Sequence, residues 1–194
     1  MVSINQLKQL REATGISLIE CKKALEEAGG DIKRAREILR EKGKEMVKDR
    51  EGRGVKKGIV QSYIHQGGKA GVLLELHCES DFVARSKEFK DLAHELCLQI
   101  VAMRPFFVKP EDIPEEFLDG ERKIYQKQLE GSGKPQKIVE QIIEGKLKKY
   151  KEEVSLISQT WVKDPSKTID DLVNDYRAKI GENIVIEKFT RYEI

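Results

Sequence analysis

The sequence predicts an α+β protein, with a three-helix module at its front and then a core of packed helices around a small antiparallel sheet. Three observations carry this assignment. Glycine turns divide the first forty or so residues into three segments with helical apolar spacing. Two strand-like runs flank Gln66-Gly67-Gly68-Lys69, a hairpin signal in which glycine supplies positive φ. After several helical patterns, β-branched and aromatic residues close the chain as a late strand. At 194 residues the chain can build one well-buried core, or a small domain beside a medium one. The expected division is a module over 1–43, a charged linker over 44–57 and the α+β core over 58–194.

Taken in order, Ser3 and Gln6 form a capping pair before Ile4, Leu7 and Leu10, and Thr14-Gly15 ends that helix. Ser17 and Glu20 form a second capping box, followed by Leu18, Cys21, Ala24, Leu25 and Ala28, with Gly29-Gly30 as the stop. Asp31 caps a third helix that turns Ile32, Ala35, Ile38 and Leu39 inward and ends at Gly43. Helices this short are marginal alone, so the three must pack together. Residues 44–57 then carry six basic side chains (Lys44, Lys48, Arg50, Arg53, Lys56, Lys57) against three acids (Glu45, Asp49, Glu51). Such a run reads as a solvated spacer, with a helical extension at its start.

Strands are expected over Ile59 to His65 and Ala70 to Cys78. In the second, Val72, Leu74 and Leu76 alternate with Leu73, Glu75 and His77, the period-two pattern of a strand with one buried face. At Ser80 the pattern stops. Asp81 and Phe82 fall in a short link before a helix from Ser86, whose stripe is Phe89, Leu92, Ala93, Leu96, Cys97 and Ile100. A ring in that link either plugs the strand-to-helix corner or is offered to a partner. Pro114 and Pro135 open two further helices, Gly145 is a potential break in the second, and Val154 to Trp161 reads equally as strand or helix tail. Thr168 and Asp171 cap a last helix that stops at Gly181, before the strand Ile184 to Tyr192.

Charge narrows the function. The 36 basic residues against 34 acidic ones leave a net +2, which argues against nucleic acid as the main ligand, since such binding rests on a large basic excess. The three cysteines, Cys21, Cys78 and Cys97, lie far apart in apolar-periodic segments and read as buried reduced thiols. No basic-then-apolar leader and no membrane-length apolar run is visible, so a cytoplasmic location is expected. Phosphate-binding, dinucleotide and zinc motifs are missing from the sequence. His65 and His77 stand roughly 20 Å or more apart along the hairpin, too far for one zinc ion, which argues against His77 and Cys78 as ligands. His94 and Cys97 share a helix face, an arrangement more typical of packing than of a dyad. The expectation is a binding protein and not an enzyme, with no catalytic residue, cofactor or metal.

Separated stretches then point to one family. Leu10 to Gly15 (LREATG), Cys21 to Leu25 (CKKAL), Gly30-Asp31 and Leu39 to Gly43 (LREKG) resemble the N-terminal module of the translation elongation factor Ts family, which is like the ubiquitin-associated three-helix fold. Glu79 to Arg85 (ESDFVAR) resembles that family's core motif after G-V-L-x-E, and Gly181 to Ile186 (GENIVI) resembles its closing strand. The resemblance implies the short, single-core form and a guanine-nucleotide exchange factor for elongation factor Tu. Such a factor binds the GDP-bound GTPase, disturbs its magnesium and phosphate site, releases GDP and stays bound until GTP binds. By the same resemblance, Ser80, Asp81, Phe82 and Val83 occupy the motif that dislocates magnesium, with serine where threonine is usual. Arg11, Leu18, Ile19 and Lys22 fall where the module meets the partner.

In that context a presented ring is preferred over a corner plug. Asp81 beside it would cap a helix or compete for groups near the magnesium shell. Longer relatives resemble two fused cores, so 58–194 is also expected to be a dimerisation domain, giving a homodimer through its strands. No cysteine follows Cys97, so that dimer would be non-covalent at the closing strand. Two rival classes are a ubiquitin-binding adaptor and an RNA-binding translation protein using Arg50 to Lys57. The first expects an apolar residue before the loop glycine, where Thr14 stands, and both leave ESDFVAR unexplained.

Overall fold

A computed structural model describes residues 2–194; the side chains of residue 40 and of residues 43–51 lie outside that description. The chain divides into two compact units, one formed by residues 1–97 with 171–194 and the other by residues 98–170.

The first unit begins with α1 (Ile4–Thr14), α2 (Leu18–Glu27) and α3 (Ile32–Glu51). Both arms of the α1 capping box link Ser3 and Gln6, with Gln6 Oε1 accepting the Ser3 N–H at 3.0 Å, and the Ser3 hydroxyl also accepts the Asn5 N–H at 3.3 Å. Ser17 Oγ caps α2 by accepting the Glu20 N–H, and Asp31 Oδ1 takes the Lys33 and Arg34 N–H groups at the head of α3. Leu10, Cys21, Ala24, Leu25, Ala35, Ile38 and Leu39 form the shared core of the three helices. Gly43 does not end α3, which continues into the charged stretch as far as Glu51. One glycine costs a helix only about 1 kcal/mol relative to alanine, and residues 44–51 are otherwise tolerated in helices, so termination waits for Gly52 and Gly54.

The sheet of this unit runs in the order β1 (Lys57–Ile64), β2 (Ala70–Cys78), β5 (Ile184–Glu193), antiparallel throughout. β1 meets β2 from Lys57 opposite Cys78 to Ile64 opposite Gly71. β2 pairs β5 with one bulge, because Glu75 faces Lys188 while Leu76 faces Ile186, leaving Glu187 as the extra residue. Val72, Leu74, Leu76 and Cys78 are buried on one face, as the alternation predicts. Gly58 lies so close to Leu76 and His77 on the neighbouring strand that a side chain there would collide with backbone. Phe89, Leu92, Ala93, Leu96 and Cys97 of α5 (Lys87–Met103) and Leu172 and Val173 of α8 (Ile169–Ile180) complete the buried set. The link before α5 is itself a helical turn, α4 (Asp81–Arg85).

In the second unit, α6 (Glu115–Leu129) packs on α7 (Gln136–Val154), which Gly145 does not interrupt. Phe107 and Tyr150 pack against a small core of Ile113, Leu118 and Val154. Val154 to Trp161 is neither one strand nor one helix tail. Val154 ends α7, Leu156–Ser158 form a 3-10 turn, and β3 (Thr160–Trp161) pairs with β4 (Asp164–Thr168) in a second small sheet. Buried Gln99 and Gln159 hold this segment: Gln99 Nε2 donates to Gln159 Oε1 and to the Thr160 carbonyl, and Gln159 Nε2 donates to the Glu153 carbonyl at 2.7 Å. Two glutamines with their amides satisfied are as buried as leucines would be, a choice that apolar periodicity does not anticipate.

Candidate functional site

The corner after β2 is built from the backbone outward. Ser80 leaves the strand in extended conformation (φ −129°, ψ 151°) and becomes the N-cap of α4, its hydroxyl accepting the Val83 N–H at 3.3 Å. Val83 and Ala84 point inward and are 7% and 4% exposed. Phe82, one residue earlier, is 85% exposed. The ring therefore does not plug the corner; Val83 and Ala84 do. α4 stops at Ser86, whose extended backbone breaks the helix and whose hydroxyl accepts the Phe89 N–H at the start of α5. Asp81 sits in the first turn of α4 and pairs with Lys57 Nζ at 3.1 Å, both groups being well exposed.

A five-residue helix has too little internal bonding to hold itself. Residues from the segment before β5 supply the rest. Glu182 Oε1 accepts the Ser80 hydroxyl at 2.6 Å, while Glu182 Oε2 accepts the backbone N–H groups of Ser80 at 3.0 Å and Glu79 at 3.1 Å. In return Glu79 Oε1 accepts the Asn183 N–H at 2.6 Å, and buried Asn183 donates through Nδ2 to the Arg53 carbonyl. The Arg177 guanidinium holds the next carbonyl, that of Ile184, at 2.6 and 3.0 Å. Sequence reasoning marked Gly181 to Ile186 only as a closing strand and assigned Glu182 and Asn183 no task. The available signal was two polar residues between a helix-ending glycine and a buried strand.

Beside Phe82 lies a groove of about 700 Å³, lined in part by Ile4, Arg11, Leu18, Phe82, Val83 and Ser86. It brings two of the expected module residues, Arg11 and Leu18, together with the tip. Ile19 and Lys22 do not line it: Ile19 is 68% exposed on α2, and Lys22 forms an exposed ion pair with Glu26 at 3.8 Å. Gly181 ends α8 with φ +89°, and a side chain there would meet Ser17 at 3.0 Å, so glycine is required both by backbone conformation and by space.

A second apolar surface covers the outer face of the sheet. Val60, Ile64, Leu73, Tyr192 and Ile194 are exposed there, and a shallow depression of about 380 Å³ runs past Ile64, Leu73, Tyr192 and Ile194. Its polar end holds His77, whose Nε2 lies 2.8 Å from Glu75 Oε1, with Lys188 Nζ 3.2 Å from Glu75 Oε2. The Lys188 ammonium first, and then His77, hold the Glu75 carboxyl below its ordinary range.

The cysteines are poor nucleophiles. Burial pushes the Cys97 thiol up to about 12; burial, reinforced by the Glu182 carboxylate, pushes Cys78 up to about 11. His94 is exposed, edge-on to Tyr63 at 5.4 Å, while Cys97 below it is fully buried. Among the described residues no group of three or more His, Cys, Asp and Glu side chains is placed to hold a metal ion, and no helix is long and apolar enough to cross a membrane.

A sequence profile for the family described as Elongation factor TS matches residues 7–194. Proteins named Elongation factor Ts from Thermotoga petrophila and Coprothermobacter proteolyticus are 51% and 47% identical over 193 residues. These alignments span 100% of this chain and 96% and 98% of the respective relatives. One from Caldanaerobacter subterraneus is 46% identical, with 100% and 96% covered.

Proposed function

The chain belongs to the elongation factor Ts family, and from that premise we propose that it is a guanine-nucleotide exchange factor for elongation factor Tu. One observation carries the reading: Phe82 stands 85% exposed on a turn whose next two residues, Val83 and Ala84, are buried. Leaving a ring in water forgoes about 2 to 3 kcal/mol of burial, which a partner's apolar helix interface can recover. That energy corresponds to roughly 30- to 150-fold in an equilibrium constant.

Exchange follows from linkage and needs no bond-making. If the factor binds the nucleotide-free GTPase more tightly than the GDP form, GDP is weakened by the same factor. In this reading Phe82 is the wedge, and Asp81, Ser80 and Val83 form its base against the magnesium and phosphate region. The factor remains on the emptied GTPase until GTP binds and displaces it. Arg11, Leu18, Ile19 and Lys22 of the helical module over 1–43 contact the nucleotide domain, with 44–57 as the connector and 58–194 as the core. The outer sheet face, with Leu73 at its centre, supports a homodimer as the working form, since an exposed apolar patch of this kind suits a self-complementary interface. No cofactor, nucleic acid or membrane is required, and the site of action is the cytoplasm.

Stopped-flow release of labelled GDP from the cognate GTPase tests the reading. Wild type is expected to accelerate release steeply with concentration. No acceleration by wild type would sink the exchange function, whereas full activity of Phe82→Ala would remove only the wedge.

A further inference from the structure

We propose that Glu182 is the positioning residue of the exchange tip: its carboxylate fixes the turn that carries Phe82, so that the ring is presented in one orientation before any partner arrives. The inference rests on the exchange-factor reading and adds to it a residue outside the motif, 102 positions away from Ser80. The geometry sets Glu182 apart from an ordinary ion-pair residue. Its three bonds go to the adjacent residues Glu79 and Ser80, and two of them go to backbone N–H groups at the strand-to-helix junction. Backbone bonds of this kind fix direction, because the peptide planes of Glu79 and Ser80 determine where α4 points.

The Ser80 hydroxyl passes the constraint on, donating to Glu182 and accepting from the Val83 N–H within α4. Phe82 lies between those two anchored points. Its own ring is exposed, so the backbone must supply the order that core packing supplies elsewhere. A ring held in its binding orientation loses less conformational freedom on docking, and charge-assisted bonds are the stronger kind for holding it.

A purely structural clamp would make a different prediction, and Arg177 provides the comparison. It grips the Ile184 carbonyl, two residues beyond Glu182, and donates to Asn174 Oδ1. The experiment uses the full chain with Glu182→Ala, Glu182→Gln, Ser80→Ala and Arg177→Ala. In a Trp161→Phe background, Phe82→Trp reports ring mobility through fluorescence anisotropy in the free protein. Glu182→Ala is expected to lower the anisotropy, and Arg177→Ala to leave it unchanged.

In GDP release at saturating factor, Glu182→Ala is expected to reduce the maximal rate about tenfold, as for loss of hydrogen bonds to a charged group. The half-saturating concentration should stay within about threefold, since the module's contacts are intact. Glu182→Gln, which keeps an acceptor for the two N–H groups, should recover part of the rate, and it keeps the test decisive if the alanine variant does not fold. Unchanged anisotropy in Glu182→Ala would overturn the proposal. So would wild-type release rates in that variant, or an equal loss in Arg177→Ala at matched thermal stability. If wild type itself gives no acceleration, the exchange reading falls and the exchange role of Glu182 falls with it, while the anisotropy series still reports whether the carboxylate orders the ring.

Discussion

The tip at Phe82 and the outer face of the sheet both leave large apolar side chains in water, but they are held in opposite ways. Phe82 is a single ring on a five-residue turn, anchored by hydrogen bonds to Glu182 and by burial of Val83 and Ala84. Val60, Ile64, Leu73 and Tyr192 are spread over three strands whose ladders hold them flat. One small protruding ring suits insertion followed by withdrawal, because its total energy is limited to about 2 to 3 kcal/mol. A broad flat patch suits an association that persists through many cycles, since several side chains are desolvated together.

The sharpest way to break this comparison is at the tip. Phe82→Ala is expected to slow GDP release roughly 30- to 150-fold while moving stability by less than about 0.5 kcal/mol, because the ring touches little of its own chain. Sedimentation should show its oligomeric state unaltered. Leu73→Glu tests the other surface. A carboxylate placed beside Glu75 on the patch should raise the dissociation constant of the proposed homodimer at least about tenfold in analytical ultracentrifugation. GDP release per bound protomer should persist; loss of release with the dimer intact would merge the two surfaces into one.

Gly181→Ala acts where the turn after α8 meets Ser17 at the head of α2. With φ at +89° and Ser17 at 3.0 Å, it should cost about 1 to 2 kcal/mol, seen as a lower Tm by calorimetry. A Tm equal to wild type would mean the turn relaxes without strain. The smallest effect belongs to Glu75. A carboxyl whose folded pKa lies below its ordinary value contributes stability in full above that ordinary value, and the contribution disappears as pH falls through the depressed folded value. Tm measured downward from neutral pH should therefore fall in the acid range, slightly more steeply than in Glu75→Gln. Superimposable curves would show that the Lys188 and His77 contacts carry no stability.

Much of this was legible from periodicity. Ser3, Ser17 and Asp31 announce their helices through local caps, and the alternation of Val72, Leu74 and Leu76 gives the buried face of β2 because strand geometry leaves no other choice. The exposure of Phe82 was not legible from periodicity, and only the family resemblance favoured a presented ring. Phe82 and Phe89 are the same residue type seven positions apart, yet one is 85% exposed and the other fully buried. What separates them is the break at Ser86, which resets the helical phase between α4 and α5. The run of α3 beyond Gly43 was missed because glycine is a graded penalty rather than a stop. Glu182 was missed for a deeper reason: no local pattern reports a carboxylate whose partners lie more than a hundred residues away.

That separation has a consequence in time. Chains emerge from the ribosome at about 5–20 residues per second, so roughly 5 to 20 s pass between synthesis of Phe82 and synthesis of the carboxylate that grips its turn. In that interval the nascent chain has the ring but not the clamp. The strand that closes the sheet by pairing with β2 begins two residues after Glu182, so one stretch of chain supplies both the sheet's last strand and the carboxylate bonded to the turn of Phe82. A nascent chain interrupted before residue 182 would carry the whole ESDFVAR motif and still lack the carboxylate bonded to its turn.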